Sequence, residues 1–383
     1  MSNLAFFGAN AAAAYRIIYV KTGAAADVGV FNFYATGLNS SGQLALNNTT
    51  NSLSFSGNNF GKWDDIVCGN THVMAKSAGT NQWYAAGNNS SGQLGLGTVT
   101  TSYTFLTAVD GEWEKMACGY SFTVAKSAGT NQWYAAGENT QGAWGQGNTT
   151  NSTSFTLLTG EWDNIVCGSY HTVALSAGTN QWFSAGSGNA GQLGLGNTSN
   201  NSSYTKITGE YTKVDCGHRY TMLLSGTDLY ATGSNFNGQL GLGNSGIGTD
   251  RVSPTRVTGL WNDVSCSTST TFALSASGNL WHASGLNSSG QMGQGTTANR
   301  TTFGILTGVW TVIQCAKYTT TGPSHTMALS SGTNLWFAAG GNSFGGLGLN
   351  SPVAVFNSFT PIPGFWSKMA CGGENFTIAL SSI

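Results

Sequence analysis

Histidine and cysteine are the residues of this 383-residue chain best suited to catalysis or metal binding. Three of the five histidines, His72, His171 and His325, share one repeated position that holds phenylalanine, tyrosine or threonine in other repeats. Because a position that accepts phenylalanine cannot transfer protons, we expect neutral imidazoles hydrogen-bonded near a turn. His218 and His282 have no acid or nucleophile at an interpretable spacing. With no nucleophile elbow, zinc motif or phosphate-binding glycine loop, we predict no catalytic residue, no cofactor and no enzymatic activity.

The seven cysteines recur at nearly constant intervals. Successive spacings are 50, 49, 49, 50, 49 and 56 residues, along the series Cys68, Cys118, Cys167, Cys216, Cys266, Cys315 and Cys371. Cysteines in equivalent places of successive units lie on separate copies of one strand, and an odd number cannot all pair within the chain. The sequence has no Cys-x-x-Cys pair and no His/Cys cluster at ligand spacing. We interpret the cysteines as small buried core residues and predict no metal site.

A series of short segments recurs around each cysteine. One copy consists of Trp162–Gly168, His171–Leu175, Gln181–Gly186 and Gly191–Gly196. The first three alternate apolar with small or polar residues and end at turn residues, which is the pattern of half-buried strands. A fourth strand follows the glycine-rich loop, as in Ser154–Leu158. Four strands in each unit of about fifty residues predict an all-β fold, the β-propeller.

The two halves of the repeat each occur seven times, but they are out of phase. The repeats begin with a glycine-rich half, Phe33–Leu46, and end with a Trp/Cys half, Trp366–Cys371. One blade must then combine both termini, which pairs strand edges that would otherwise be exposed. We predict a seven-bladed propeller of four-stranded blades over residues 31–383. Its ring is closed by a blade from about residues 31–59 and 360–383.

Residues 1–30 lie outside the repeat and form a predicted N-terminal arm. They are rich in alanine and glycine up to Tyr15–Val20, a predicted strand. The apolar run Ala11–Val20 is interrupted by Arg16, is too short to span a membrane, and lacks the order of a signal peptide. We expect folding in the cytoplasm. Two roles stay open for the arm, capping the propeller and docking on an assembly.

The repeat is specific enough to indicate a family. Its segment Cys-Gly-x-x-His/Phe/Tyr-Thr-x-Ala-Leu is followed by aromatic-x-x-Gly-x-Asn-x-x-Gly-Gln-Leu-Gly-Leu-Gly. This pattern resembles the repeat of the regulator of chromosome condensation family of seven-bladed propellers, over about residues 31–383.

The resemblance implies two known family roles. One is guanine-nucleotide exchange on a small GTPase, aided by acidic and histidine side chains and a protruding wedge. Acidic residues are few here, and Tyr318 is the one wedge candidate. The other role is ultraviolet-B sensing in plants, through repeats that read Gly-Trp-Arg-His-Thr. The corresponding stretch Gly217–Thr221 lacks the tryptophan, which disfavours photoreception.

Charge excludes further partners. The chain has 14 Lys+Arg against 15 Asp+Glu, and 8% of its residues are charged. A nucleic-acid binder needs a surplus of basic residues, so we predict no nucleic-acid partner and, without a long apolar run, no membrane insertion. The surface must then consist mostly of Asn, Ser, Thr and Gly, whose contacts are hydrogen bonds and small apolar patches.

Composition gives the functional expectation. Uncharged β-repeats rich in Asn, Gly and Thr resemble the appendage proteins of tailed bacteriophages. The identical segments Ala75–Gly87 and Ala125–Gly137 favour display or assembly over catalysis. We expect a non-enzymatic structural or adhesion protein of a virion, such as a tail-fibre, receptor-binding or decoration component. Its partners would be virion proteins or a host-surface receptor, protein or glycan. The alternative is a cytoplasmic propeller scaffold or guanine-nucleotide exchange factor for a small GTPase. The oligomeric state stays open.

Partner contacts are expected where the repeats differ. Two loops are longer than their counterparts, and both could also be tolerated insertions. The first, Ala316–Ser324, carries Tyr318, Thr319, Thr320 and Thr321; the second, Asn244–Pro254, carries Asp250 and Arg251.

One tryptophan is out of register with the repeat. The other eleven recur at the period of the blades, so we predict that they pack between blades. Trp144 replaces the leucine of Gly-Gln-Leu-Gly. It either fills a larger gap in the core or presents an exposed ring that stacks on a sugar.

Overall fold

The computed structural model describes residues 31–318, 324–373 and 375–382, so the predicted N-terminal arm lies outside the described residues. The described ranges contain 27 strands and no helix. The strands of the first half are β1 Phe31–Gly37, β2 Ser52–Cys68, β3 His72–Ser77, β4 Trp83–Asn88, β5 Ser102–Ala108, β6 Trp113–Cys118, β7 Phe122–Ser127, β8 Trp133–Gly137, β9 Ser152–Leu158, β10 Trp162–Cys167, β11 His171–Ser176, β12 Trp182–Gly186 and β13 Asn201–Lys206. Those of the second half are β14 Lys213–Cys216, β15 Tyr220–Ser225, β16 Asp228–Gly233, β17 Arg251–Arg256, β18 Trp261–Cys266, β19 Thr270–Ser275, β20 Trp281–Gly285, β21 Arg300–Ile305, β22 Trp310–Cys315, β23 His325–Ser330, β24 Trp336–Gly341, β25 Val355–Pro361, β26 Lys368–Cys371 and β27 Phe376–Ser381.

Consecutive strands pair antiparallel in sheets of four. The sheets β6–β9, β10–β13, β14–β17, β18–β21 and β22–β25 each hold one copy of the repeat. A sixth sheet has seven strands in the order β26-β27-β1-β2-β3-β4-β5. It combines two groups of four strands, because the long strand β2 belongs to both groups. The first half of β2 pairs with β1, and its second half pairs with β3. The predicted all-β architecture of repeated four-stranded sheets is confirmed.

The two ends of the described chain meet in one sheet. β1 pairs with β27 along its length, from Asn32 opposite Ser381 to Gly37 opposite Phe376. On the other side, β1 pairs with the first half of β2. Residues near both ends of the sequence therefore contribute to a single group of four strands, β26-β27-β1-β2.

The first strand of each group contacts the first strand of the next. These contacts join the second half of β2 to β6, β6 to β10, and so on through β14, β18, β22 and β26; β26 in turn contacts β2. Polar pairs accompany them. Lys115 Nζ donates to Asn164 Oδ1 at 2.7 Å, and Lys368 bonds the carboxylate of Asp65.

The core lies between neighbouring sheets, where the repeated tryptophans pack. The indole of Trp83 is buried and donates to the carbonyl of Trp113, in the next sheet, at 2.9 Å. The same bond recurs in four further repeats, from Trp133, Trp182, Trp281 and Trp336. A buried indole N–H needs a partner, and this one ties adjacent sheets together. The prediction that the registered tryptophans pack between blades is confirmed at these positions.

Candidate protein-binding face

Strand polarity places two sets of loops at one end of every sheet. In an antiparallel four-stranded sheet, the loop after the first strand and the loop after the third strand lie at the same end. Loops of neighbouring sheets are hydrogen-bonded here: Tyr120 N donates to Ser169 O at 3.1 Å, and Thr268 N donates to Ala316 O at 3.1 Å. We call this end, which also carries the glycine-rich loops such as Asn88–Gly97, the glycine-rich face.

The asparagine repeated in six of the seven glycine-rich loops is a framework residue. Asn89 is buried; its Oδ1 accepts from Leu94 N at 3.0 Å and its Nδ2 donates to Thr98 O at 2.9 Å. These bonds fold the loop back on itself, as an asparagine side chain does in turns. The consensus residues therefore hold a common loop shape, and recognition falls to the residues that vary.

Three half-buried rings from neighbouring loops form an aromatic patch on the glycine-rich face. The rings of Tyr120 and Tyr170 are stacked, with centroids 5.2 Å apart, and His218 meets Tyr170 edge-on at 5.9 Å. The hydroxyl of Ser169 hydrogen-bonds His218 Nδ1 at 2.6 Å. Beside them, the exposed guanidinium of Arg219 donates to Asn189 Oδ1 at 2.8 Å. Apart from Asn189, these residues come from the loops of three sheets and occupy the two variable positions before the repeated His/Phe/Tyr.

The patch is uncharged apart from its edge. Burial, with a smaller effect of Arg219, lowers the pKa of His218 to about 4, so its imidazole is neutral near pH 7. Burial, followed by the proximity of Tyr120 and Glu138, raises the pKa of Tyr170 to about 12. Aromatic rings with hydrogen-bonding groups and one adjacent arginine are the side chains that dominate protein–protein interfaces.

Tyr318 requires a correction, because the sequence suggested a protruding wedge. Its side chain is 3% exposed, and its hydroxyl donates to the carbonyl of Cys118 at 2.5 Å. The preceding Lys317 bonds Asp215 Oδ1 at 2.5 Å. Cys118 ends β6 and Asp215 lies in β14, so this insertion reaches inward between the first strands of distant sheets.

An ion pair between the half-buried Lys317 and the buried Asp215 holds the base of that insertion. Burial alone would lower the pKa of Lys317, but the Asp215 carboxylate and neighbouring thiols raise it overall. The ammonium therefore stays charged. Thr319, Thr320 and Thr321 lie outside the described residues, and their role in partner binding stays a prediction.

Trp144 is buried, so the sugar-stacking alternative is wrong and the gap-filling alternative is correct. The ring is 3% exposed and packs in the cluster that contains Val124, Trp133 and Ile165. Its backbone N–H donates to Asn139 Oδ1 at 3.1 Å, so the loop keeps the framework bond despite the larger side chain.

The longer loop between β16 and β17 is braced by both residues predicted there. Asp250 Oδ1 accepts from Asn235 N at 2.8 Å, in the place of an asparagine in other loops, and Arg251 Nη1 donates to Thr249 O at 2.7 Å. Their partner-binding role stays a prediction. Sequence reasoning missed two other side chains of this loop region, Phe236 and Ile247, which are 60% and 95% exposed. Phe236 could have been noticed, since serine or threonine is the common residue at its position.

The repeated histidines are structural, as predicted. His72 Nε2 lies 3.1 Å from the hydroxyl of Thr123, which donates its own proton to Gln93 O at 2.7 Å. The imidazole must therefore donate from Nε2, which fixes the neutral tautomer. Burial lowers the pKa of His72 to about 3. His171 and His325 make the same contact with Thr221 and Thr377.

The cysteines are free thiols, and six of the seven are buried, as predicted; Cys68 is half-buried. Burial raises the pKa of Cys118 to about 12, so the thiol stays protonated and unreactive. Across the described residues, His, Cys, Asp and Glu nowhere gather in a group of three or more able to hold a metal ion. The same residues include no helix long and apolar enough to cross a membrane.

Comparison with known proteins identifies the repeat. The model of the regulator of chromosome condensation (RCC1) repeat matches residues 81–125, 180–224 and 228–274. No curated protein sequence matches the chain.

Solved structures are similar over nearly the whole length. Human WBSCR16 is 18% identical, with a TM-score of 0.77 over 92% of this chain and 99% of that one. Yeast RCC1 (Prp20), solved with Kap60 bound, is 15% identical, with a TM-score of 0.80 over 99% of this chain and 94% of that one. A second Saccharomyces cerevisiae Prp20p structure, reported with its binding properties to Gsp1p and histones, is 15% identical, with a TM-score of 0.79 over 92% of each chain. At these identities the likeness shows the fold.

These matches correct the expected function. They are cellular proteins of human and yeast, and the named partners of Prp20 are cellular proteins. The expectation of a virion component that binds virion proteins or a host-surface receptor is wrong. It rested mainly on surface composition, which determines how a protein is solvated and does not identify its relatives. The virion localisation loses its support with it. The repeat model and the whole-length likeness instead agree with each other: three stretches of the chain match the regulator of chromosome condensation repeat, and the chain has the fold of the RCC1 β-propellers.

Proposed function

We propose that this chain is a non-enzymatic protein-binding scaffold that presents the glycine-rich face to a folded partner inside the cell. The observation that carries the proposal is the aromatic patch of Tyr120, Tyr170 and His218. It arises at positions that vary between repeats whose framework is nearly identical. A shared framework serves folding, whereas aromatic side chains gathered from three loops serve recognition.

A small GTPase is the partner class to examine first. The yeast relative Prp20p is described with its binding to Gsp1p and histones. Histones carry strong positive charge, whereas this chain has a formal net charge of −1 and scattered charged residues, which gives little electrostatic complementarity. Nucleotide exchange on that GTPase has less support than binding alone, since the wedge candidate Tyr318 is buried.

The test uses a patch variant and a matched control at the opposite end of the sheets. The patch variant combines Tyr120→Ala, Tyr170→Ala and Arg219→Ala. The control combines Glu112→Ala, Glu161→Ala and Glu210→Ala, three exposed residues in the loops that precede the first strands. Tagged wild type and both variants capture proteins from cytosol of the source organism, with quantitative mass spectrometry as the readout. Each captured GTPase is then purified and titrated calorimetrically.

We expect the patch variant to weaken partner binding by tenfold or more and the control to leave it unchanged. Release of labelled GDP from the bound GTPase separates a scaffold, which leaves the rate unchanged, from an exchange factor, which raises it. Equal binding of one purified partner by wild type and patch variant would reject the assigned face.

We also propose that the sheets close into a seven-bladed ring over residues 31–383. Division of β2 between its two groups gives seven groups of four strands in the described ranges. The pairing of β1 with β27, the contact of β26 with β2, and the Lys368–Asp65 pair support closure.

Deletion of residues 366–383 tests this closure. We expect loss of cooperative unfolding, because removal of β26 and β27 exposes the edge of β1 and the first strand of the next group. A monomeric truncated chain that unfolds as cooperatively as the full chain would contradict the closed ring.

A further inference from the structure

Five glycine-rich loops use the carboxamide of a glutamine as an internal brace. In each, Oε1 accepts a hydrogen bond from the backbone N–H two residues earlier, at 2.9–3.1 Å; the residues are Gln43, Gln93, Gln192, Gln239 and Gln291. In two of these loops, Nε2 also donates to the side chain that begins the loop. Gln93 Nε2 donates to Asn88 Oδ1 at 3.0 Å, and Gln192 Nε2 donates to Ser187 Oγ at 3.3 Å. The carboxamide thus bridges a backbone donor and a side-chain acceptor.

The loop between β8 and β9 lacks this carboxamide but keeps the loop framework. Ala143 stands at the glutamine position, and Glu138 stands where the bridged side chain begins the loop. Asn139 Oδ1 accepts from Trp144 N at 3.1 Å, the counterpart of the 3.0 Å bond between Asn89 and Leu94. The backbone therefore keeps its course around a side chain that is four heavy atoms shorter.

A small pocket, open to solvent, lies at this position on the glycine-rich face. Its lining includes Ala143, Glu138, Gln141 and the rings of Phe122 and Tyr170. Thr140 donates its hydroxyl to one carboxylate oxygen of Glu138 at 2.6 Å. A carboxylate can accept several hydrogen bonds, so Glu138 keeps acceptor capacity for a ligand. The pocket adjoins the aromatic patch through Tyr170.

We infer that this pocket binds a primary carboxamide, the end of a glutamine or asparagine side chain of a partner protein. The carboxamide oxygen accepts from the backbone N–H of Gln141, and its NH₂ group donates to the Glu138 carboxylate. These are the two bonds that neighbouring loops make to their own glutamine, with the second strengthened by the negative charge. That the carboxamide comes from a partner rests on the proposed function.

Other chemistries fit the pocket less well. A ligand carboxylate could accept from the Gln141 N–H, but Glu138 would repel it. An ammonium or guanidinium would pair with Glu138 but has no acceptor for that N–H. The carboxamide alone among these groups carries an acceptor and a donor in one plane, and the rings of Phe122 and Tyr170 supply apolar walls.

The pocket can be tested without a partner. Protein labelled with ¹³C at alanine methyl groups is titrated with propionamide, propionate or propylammonium, and the Ala143 methyl signal is followed by NMR. We expect a saturable shift with propionamide alone, with a dissociation constant in the millimolar range for so small a ligand. Saturation by propylammonium but not by propionamide would overturn the proposal. An Ala143 signal that none of the three shifts would show a pocket that holds solvent only, and would overturn it too.

Two variants make a matched pair. Ala143→Gln supplies the carboxamide internally, so we expect the propionamide response to disappear. Gln93→Ala removes it from the preceding loop, so we expect a second propionamide site there, reported by the introduced methyl group and weaker because Asn88 is neutral. If Ala143→Gln leaves the response intact, the site is elsewhere. Failure of this fragment test leaves the partner capture experiment to decide the proposed function by itself.

Discussion

Two neighbouring repeats show how this fold separates framework from surface. Ala75–Gly87 and Ala125–Gly137 are identical residue for residue, and β3 and β7 share one burial pattern. The loops that follow, Asn88–Gly97 and Glu138–Gly147, then differ at most non-glycine positions. Their glycines nevertheless keep nearly the same backbone, with φ of 69° at Gly95 and 68° at Gly145. Glycine and asparagine therefore fix the loop shape, and the other side chains are free to change the surface.

The cores of these two repeats adjust to each other's side chains. Leu94 in the first corresponds to Trp144 in the second, and both are buried. The larger ring shares its cluster with Val124, which replaces Met74 at the equivalent position of the first repeat. Interiors are close-packed, so a larger residue at one position requires a smaller one nearby. Within the core, a smaller valine thus accompanies the larger tryptophan of the second repeat. The change from Gln93 to Ala143 has no such counterpart and leaves a pocket.

The largest expected effect comes from breaking that compensation. Trp144→Leu should lower the free energy of unfolding by about 3 kcal/mol, because Val124 leaves a cavity that leucine cannot fill. Addition of Val124→Met should recover part of the loss, since the pair then matches the first repeat. Urea unfolding of the single and double variants measures both effects. Additive losses would show that the two positions do not compensate.

A smaller, pH-dependent effect on the free energy of unfolding should come from substitution of His72, which occupies the position that Phe122 holds in the second repeat. His72 is neutral in the folded protein because burial lowers its pKa to about 3. The unfolded imidazole has a pKa of about 6.5 and binds a proton more readily, so stability falls as pH drops from about 6.5 towards 3. His72→Phe should therefore stabilise the protein by about 2 kcal/mol at pH 5 relative to its effect at pH 7.

Urea midpoints at the two pH values check this effect. Phe122→Leu serves as a control, because it changes packing at the equivalent position without adding or removing a titrating group. An equal pH dependence in wild type and His72→Phe would mean that His72 does not lose its proton on folding.

The smallest expected effect concerns the glutamine brace. Gln93→Ala should cost about 1 kcal/mol, the usual contribution of such hydrogen bonds, and Ala143→Gln should stabilise by a similar amount or less. Both are measured by urea unfolding at pH 7. If Ala143→Gln destabilises the protein, the second loop does not accept the carboxamide in the geometry of the first.

Much of the fold could be predicted because the repeat is local. Strand bounds follow from alternation and from turn residues. Cysteines such as Cys118 and Cys167, and tryptophans such as Trp83, recur at the period of the repeat, which marks these positions as core. The neutral state of His72 followed from a position that accepts phenylalanine. The sequence left the burial of Trp144 open. Burial of so large a ring requires a small residue next to it, and which residues are neighbours depends on contacts between sheets.

The candidate site could be predicted only in part. The sequence directed attention to the variable loops, yet Tyr120 and Tyr170 were overlooked, because each is unremarkable in its own repeat. They lie fifty residues apart and become a pair only when adjacent sheets stack their loops. The function expected from composition was wrong. The small number of charged surface residues affects how the protein is hydrated, but it does not specify which partner the protein binds.

The sequence by itself determined the period, the strands, the structural role of the repeated histidines and the resemblance to a known repeat. Each of these depends on side-chain alternation and turn chemistry within about fifty residues. Only the tertiary structure decided that Tyr318 turns inward to Cys118, that Tyr120, Tyr170 and His218 meet, and that Ala143 leaves a pocket. The physical reason is that these contacts join separate sheets. Their distances depend on how the sheets pack against one another, which no local pattern specifies.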